Sequence, residues 1–268
     1  MPSFKIENGP EIFFEDTGGA GVPIIFSHGL FMTREMFGPQ LEEFSKDHRC
    51  IVWDERAHGK TAWEGEFTYY DSAEDLIGLA DHLGIDKFIH FGFSQGGLLA
   101  LRAAIGHPDR FIGLIQCSTH AHALSGDAVA AFKEKISKWG RDGLTEETKD
   151  FLRWLILGEG VDEAFWMDYW STMTEQQLDD ATYALYEAEE VKDRLDEVKA
   201  PTLVIHGLAD VSTPLELAKY VGDHVPDSRG TVLIENGPHA INLSHADQVN
   251  AAARAFVDEV TAEYEKTL

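Results

Sequence analysis

The pentapeptide Gly92-Phe93-Ser94-Gln95-Gly96 lies directly after the apolar run Phe88-Ile89-His90-Phe91 and just before Leu98-Leu99-Ala100-Leu101. That order reads as a strand, a tight turn and a helix, with a serine at the tip of the turn. It is the G-x-S-x-G nucleophile elbow in the context the pattern needs. Glycines at 92 and 96 suit a serine held in a strained backbone conformation, because side chains there would clash. The expected geometry pushes Ser94 Oγ out of the sheet. It also aims backbone N–H groups and a helix N-terminus at the same spot.

A serine hydroxyl is a poor nucleophile unless a base takes its proton and a third group orients that base. For an elbow serine the chain order is serine, acid, histidine, with the acid and histidine placed after late strands. Asp210, in His206-Gly207-Leu208-Ala209-Asp210, follows an expected strand at 202–206. His239, in Asn236-Gly237-Pro238-His239, follows another at 231–235. Both fall on loops at strand carboxyl ends, where open α/β sheets place their sites. Ser94 would attack an acyl carbon, His239 would carry the proton, and Asp210 would fix the imidazole tautomer. The competing acids Asp127 and Asp180 follow no strand, and His245 falls inside an expected helix and reads as a surface residue. The oxyanion donors expected are the backbone N–H of Gln95 and that of Leu30, in the loop Ser27-His28-Gly29-Leu30-Phe31.

The elements needed to position these groups alternate strand and helix, which predicts a doubly wound, mostly parallel sheet. Residues 4–7 and 11–16 read as an opening antiparallel hairpin with a turn at Asn8-Gly9-Pro10. Strands are expected at 22–26, 50–53, 88–92, 111–116, 202–205 and 231–234. Helices are expected at 33–45, from a capping box Asp71-Ser72-Ala73-Glu74 to near Gly84, at 95–106 and at 243–265. Thr213-Pro214-Leu215-Glu216 reads as a helix start with proline at the first position. Residues 120–190 break the alternation. They are helical throughout, carry Trp139, Trp154, Trp166 and Trp170, and contain a second capping box, Thr174-Glu175-Gln176-Gln177. The division expected is a core of 1–119 and 191–268 with a helical cap at 120–190.

Over nearly its whole length the chain resembles the α/β-hydrolase superfamily. Besides the elbow, the resemblance rests on His28-Gly29, Asp54-Glu55-Arg56-Ala57-His58-Gly59, Pro201-Thr202-Leu203-Val204-Ile205-His206-Gly207, and His239 before a closing helix. The branch it is most similar to holds cofactor-free haloperoxidase-type esterases, oxoadipate enol-lactonases and carbon–carbon bond hydrolases. The resemblance implies an eight-stranded α/β-hydrolase fold with a helical cap over the pocket. Pro238, Ala246 and Ala57 depart from residues common in relatives, and none of them belongs to the catalytic set.

With 268 residues and 44% hydrophobic content, the chain suits one large α/β domain. The formal net charge of −25 opposes binding to nucleic acid or anionic lipid. No long apolar run predicts a membrane span, and the first residues carry no signal-peptide pattern. Cys50 and Cys117 read as buried thiols of a cytoplasmic protein. His120-Ala121-His122 lacks a third ligand at useful spacing, so no metal is expected. No phosphate loop or dinucleotide fingerprint calls for a cofactor. His28 and His58 read as histidines that hold their loops by hydrogen bonds. Phe31, Phe93, Trp166 and Trp170 are candidates for an apolar acyl or alcohol pocket, and His120 for its edge. The spacing of 166 and 170 fits the core of a cap equally well.

The function expected is hydrolysis of a small or medium, apolar carboxylic ester or lactone through an acyl-serine intermediate. Carbon–carbon hydrolysis or perhydrolysis could run on the same three side chains. A small-molecule receptor with little turnover is the alternative from another class. The partner expected is a small-molecule ester or lactone. Oligomeric state is not legible.

Overall fold

The computed structural model describes residues 2–6 and 9–268. Among them the strands are β1 (Ser3–Lys5), β2 (Glu11–Asp16), β3 (Ile24–Ser27), β4 (Cys50–Trp53), β5 (Phe88–Phe93), β6 (Phe111–Cys117), β7 (Thr202–Gly207) and β8 (Ser228–Ile234). They form one eight-stranded sheet in the order β1-β2-β4-β3-β5-β6-β7-β8. The first two pairings, β1 with β2 and β2 with β4, are antiparallel, and the rest are parallel. This is the architecture expected. The opening hairpin pairs as read, while Glu7 and Asn8 of that call lie outside the described residues.

The helices are α1 (Gly38–Phe44), α2 (Tyr69–His82), α3 (Gln95–Gly106), α4 (Gly126–Asp142), α5 (Glu146–Leu152), α6 (Ala164–Thr172), α7 (Glu175–Tyr186), α8 (Leu215–His224), α9 (Ile241–Ser244) and α10 (Ala246–Glu265). Every residue of β3, β4, β5, β6 and β7 is buried. That is why these segments read as continuous apolar runs: helices cover a parallel sheet on both faces. α10 packs on α1 and on β6, β7 and β8, while α2 packs on α3, which lies on β5 and β6.

The structure departs from five local readings. The helix expected at 33–45 is a 3-10 turn, Arg34–Phe37, followed by α1. The capping box of α2 is Thr68 with Asp71, not Asp71 with Glu74. Thr68 Oγ1 accepts from Asp71 N while Asp71 Oδ2 accepts from Thr68 N, so Asp71 is already the third helical residue. Pro214 stands before α8 as its N-cap, with ψ 135°. The closing helix starts at Ala246, because the backbone breaks at His245 between α9 and α10. At Thr174 the side chain does cap α7, but the reciprocal partner is diverted: Gln177 Nε2 donates to Ala57 O at 2.9 Å.

Between β6 and β7 the chain is helical as expected, with α4 to α7 and a π-helical stretch at Arg153–Leu157. Trp139, Trp166 and Trp170 are buried there, and Trp154 is exposed. Cys50 and Cys117 are buried free thiols. Among the described residues no helix is long and apolar enough to cross a membrane.

Candidate active site

Ser94 joins β5 to α3 with φ 49° and ψ −113°, a conformation that L-residues rarely adopt. Close packing on both sides forces it. A Cβ on Gly92 would stand 2.5 Å from Gly96 O, and one on Gly96 would stand 2.0 Å from Ser27 O. Only glycine lets α3 press this tightly onto the ends of β5 and β3. The Ser94 carbonyl accepts from Gly97 N, Leu98 N and Thr119 Oγ1, which fixes the turn from the α3 and β6 sides together.

Ser94 Oγ lies 3.0 Å from His239 Nε2, and His239 Nδ1 lies 2.8 Å from Asp210 Oδ2. Asp210 as a carboxylate only accepts, so His239 carries its proton on Nδ1 and presents a lone pair at Nε2 to the serine hydroxyl. Asp210 side chain is fully buried, yet its other oxygen accepts from Ser212 N and Thr213 N at 2.8 and 2.9 Å. Burial alone would raise its pKa. Attraction to the His239 ring in its protonated form, and hydrogen bonds from His239 and the Thr213 backbone, outweigh it and hold the carboxyl below the ordinary range. His239 is further fixed by Ser118 Oγ, which donates to its carbonyl at 2.8 Å, and by the Phe93 ring at 5.0 Å.

The Gln95 N–H opens α3, where first-turn donors have no acceptor within the helix. Leu30 sits in a turn closed by Met32 N donating to Gly29 O. That turn is clamped on both sides. Phe31, at φ 60°, donates its N–H to His58 Nε2 at 3.1 Å, and its carbonyl accepts from Trp170 Nε1 at 2.8 Å. His58 Nδ1 in turn donates to Arg56 O, while His28 donates to Gly29 O and accepts from Glu55 N. Burial pushes His28 down to about 4 and His58 down to about 3, so both stay neutral and keep these roles.

A cavity of about 240 Å³ opens over Ser94. Leu30, Phe31, Phe93, Gln95, His120 and His239 line it. Its far wall comes from the helical segment, through Leu124, Phe132, Leu155, Ile156 and Leu185. Trp166 and Trp170 lie outside the lining. Trp170 instead braces the Phe31 carbonyl from within the buried cluster. Helical spacing placed the two tryptophans on one buried face but could not say whether that face met the cavity.

One feature of the site went unread in the sequence. Glu55 is buried, and its Oε2 accepts from Gln95 Nε2 at 2.8 Å, while Tyr69 Oη donates to Gln95 Oε1 at 3.2 Å. Glu55 Oε1 has no partner among the described residues. Burial, with Asp75 and Asp54 nearby, pushes the Glu55 carboxyl well above its ordinary range against the Gln95 hydrogen bond. The fold therefore holds a proton that the unfolded chain releases above about pH 4.5. Stability then falls as pH rises from there toward the folded-state pKa. Glu55→Gln removes that dependence. Its melting temperature should gain on wild type progressively as pH rises above about 4.5. A difference constant across that range in thermal melts would show that Glu55 ionises normally.

The α/β hydrolase fold family model matches residues 22–246, so the chain belongs to that family. It is an α/β hydrolase. Over 260 residues it is 26% identical to the serine hydrolase BPHL of Homo sapiens, covering 93% of this chain and 84% of that protein. It is 26% identical to 3-oxoadipate enol-lactonase 1 of Acinetobacter baylyi over 88% of this chain and 89% of that one. The structure of a thermophilic esterase from Thermogutta terrifontis superposes with a TM-score of 0.83, at 28% identity and 94% coverage of both chains.

Proposed function

We propose that this protein is a serine hydrolase that cleaves a small or medium, uncharged, largely apolar carboxylic ester or lactone. The observation that carries this reading is the chain Asp210–His239–Ser94, at 2.8 and 3.0 Å, opening into an apolar-walled cavity. Ser94 Oγ attacks the acyl carbon as its proton passes to His239 Nε2. The oxyanion that forms takes hydrogen bonds from the Gln95 and Leu30 N–H groups. The tetrahedral centre collapses, the bond to the alcohol oxygen breaks, and His239 returns the proton to that oxygen. Water then attacks the acyl-serine with His239 as base, releasing the acid and restoring the serine. Residues 120–190 act as a cap that sets the size and apolar character of the substrate. The named lactonase and esterase among the similar proteins support this substrate class.

The test is a pre-steady-state reaction with p-nitrophenyl acetate and butyrate, with intact-protein mass spectrometry. A burst of nitrophenolate and an added acyl mass, absent from Ser94→Ala, are expected. Turnover with neither burst nor Ser94 dependence would remove the acyl-serine route.

Charge sharpens the substrate class. Among the described residues the lining contains no Lys, Arg, Asp or Glu, and the chain carries a formal net charge of −25. A carboxylate entering this cavity would lose its hydration and meet no cation. An ester whose acyl chain ends in a carboxylate should show kcat/KM about tenfold or more below that of a neutral chain of the same length. Equal values for the two chains would contradict this assignment.

A further inference from the structure

The polar side chains that line the cavity are nearly all committed to the protein. Tyr69 Oη donates to Gln95, whose amide is anchored in turn on Glu55. Thr119 Oγ1 donates to Ser94 O, and Thr213 Oγ1 to Ser118 O. Ser94 and His239 are joined to each other, and Ser212 is an exposed residue. His120 differs. Its Nδ1 accepts from His122 N at 3.2 Å, so the neutral ring carries its proton on Nε2. Among the described residues no protein acceptor takes that proton. Nε2 is not among the sealed, unpartnered atoms of the interior either, while the ring itself lines the cavity. Burial, and the ring of the neighbouring His122, push His120 down to about 4 against the opposing effect of the His122 backbone, so the ring is neutral at ordinary pH.

We propose that His120 Nε2–H is the specificity donor of this site, and that the preferred ester or lactone carries a second, uncharged oxygen acceptor that it binds. The proposal rests on the hydrolase reading above and adds a recognition element to it. A neutral N–H favours a carbonyl, ether or hydroxyl oxygen. It offers a carboxylate no compensating charge, in keeping with the uncharged lining. A substrate without the acceptor would leave the donor unpaired once the cavity is closed to water, and that difference is what selects.

The test uses two matched pairs of neutral esters. p-Nitrophenyl pentanoate is compared with p-nitrophenyl levulinate, which carries a ketone in the acyl chain. Isobutyl butyrate is compared with acetonyl butyrate, which carries one in the alcohol. The ratio of kcat/KM within each pair is measured for wild type, His120→Ala and His120→Gln, so that intrinsic reactivity and any general loss cancel. In one pair the preference for the oxo ester should fall about three- to tenfold in His120→Ala. It should return in His120→Gln, whose amide N–H restores a donor. The pair affected locates the acceptor on the acyl or the alcohol side. Ratios unchanged in both pairs would overturn the proposal, and so would a loss equal in both variants, which would mean shape rather than hydrogen bonding. If His120→Ala does not melt cooperatively, His120→Phe replaces it as the donor-free ring. If wild type cleaves none of the four esters, the hydrolase reading fails separately. Their dissociation constants are then compared between Ser94→Ala and the Ser94→Ala, His120→Ala double variant. An equal preference in both, or no binding, overturns the His120 assignment.

Discussion

Replacing Ser94 with alanine is expected to lower kcat/KM for any cleaved ester by roughly 10⁴- to 10⁶-fold while leaving the protein folded. The loss is large because no other nucleophile stands in the serine's place. Every hydrogen bond that shapes the turn at position 94, apart from the one to His239, uses backbone groups that alanine keeps. The backbone strain also remains, since alanine at φ 49° meets the same steric opposition as serine. Glycine does not. Ser94→Gly should be as inactive as Ser94→Ala yet melt higher, by the equivalent of about 1 kcal/mol of relieved strain less the added chain entropy. Kinetics on a neutral p-nitrophenyl ester and thermal melts of the three proteins check both parts. Residual activity above about a hundredth of wild type in Ser94→Ala would deny Ser94 the role of nucleophile. A lower melting point for Ser94→Gly would mean that the elbow is not strained.

The groups legible in the sequence were those whose placement depends on local order. Ser94, Asp210 and His239 each sit just past the carboxyl end of a recognisable strand. A parallel sheet carries those ends to one edge, so chain order alone brought the three together. Phe31, Phe93 and His120 followed for the same reason, being next to strand ends or to the start of the helical segment. What escaped was contact between distant segments. Glu55 and Gln95 are 40 residues apart, and His58 and Phe31 are 27 apart. No periodicity encodes such pairs. Trp166 and Trp170 illustrate a different limit: one turn of helix puts them on a common face whether that face meets a ligand or a protein neighbour. At Thr68 two overlapping patterns, Thr68-x-x-Asp71 and Asp71-x-x-Glu74, both satisfy the capping rule. The extended backbone at Thr68, with φ −117° and ψ 168°, selects the first.

The contacts that escaped hold the two backbone segments that carry the proposed oxyanion donors. The turn holding Leu30 is packed between two side chains from elsewhere in the chain, His58 and Trp170, through the N–H and C=O of the single residue Phe31. Gln95, the residue after Ser94, is held in a similar way, by Glu55 and Tyr69 through its side-chain amide. For the Leu30 and Gln95 N–H groups as the oxyanion donors proposed above, being fixed beforehand matters because no reorganisation is then needed when the charge appears. The neutrality of His58 belongs to this arrangement, since a protonated ring could no longer accept from Phe31 N.

Asp210→Asn tests the other end of the site and should lower kcat by about 10³- to 10⁴-fold with little change in stability. The asparagine carbonyl can still accept from Ser212 N and Thr213 N, which turns its amide N–H₂ toward His239 Nδ1. A nitrogen that faces a donor must accept, so the imidazole proton moves to Nε2. There it points at Ser94 Oγ, and the lone pair that should take the serine proton is gone. The defect is one of tautomer rather than of position, so both the nitrophenolate burst and steady-state turnover should fall together. Among the described residues Asp127, in the first turn of α4, and Asp180, whose Oδ1 accepts from Gln176 Nε2, make no hydrogen bond to the His239 ring. Their asparagine variants should stay within about twofold of wild type. An Asp210→Asn enzyme keeping more than about a tenth of wild-type kcat would show that His239 finds its working tautomer without this carboxylate. The orienting role would then pass to another group near the ring, and His206, whose Nε2 lies 3.9 Å from Asp210 Oδ2, would be the next residue to change.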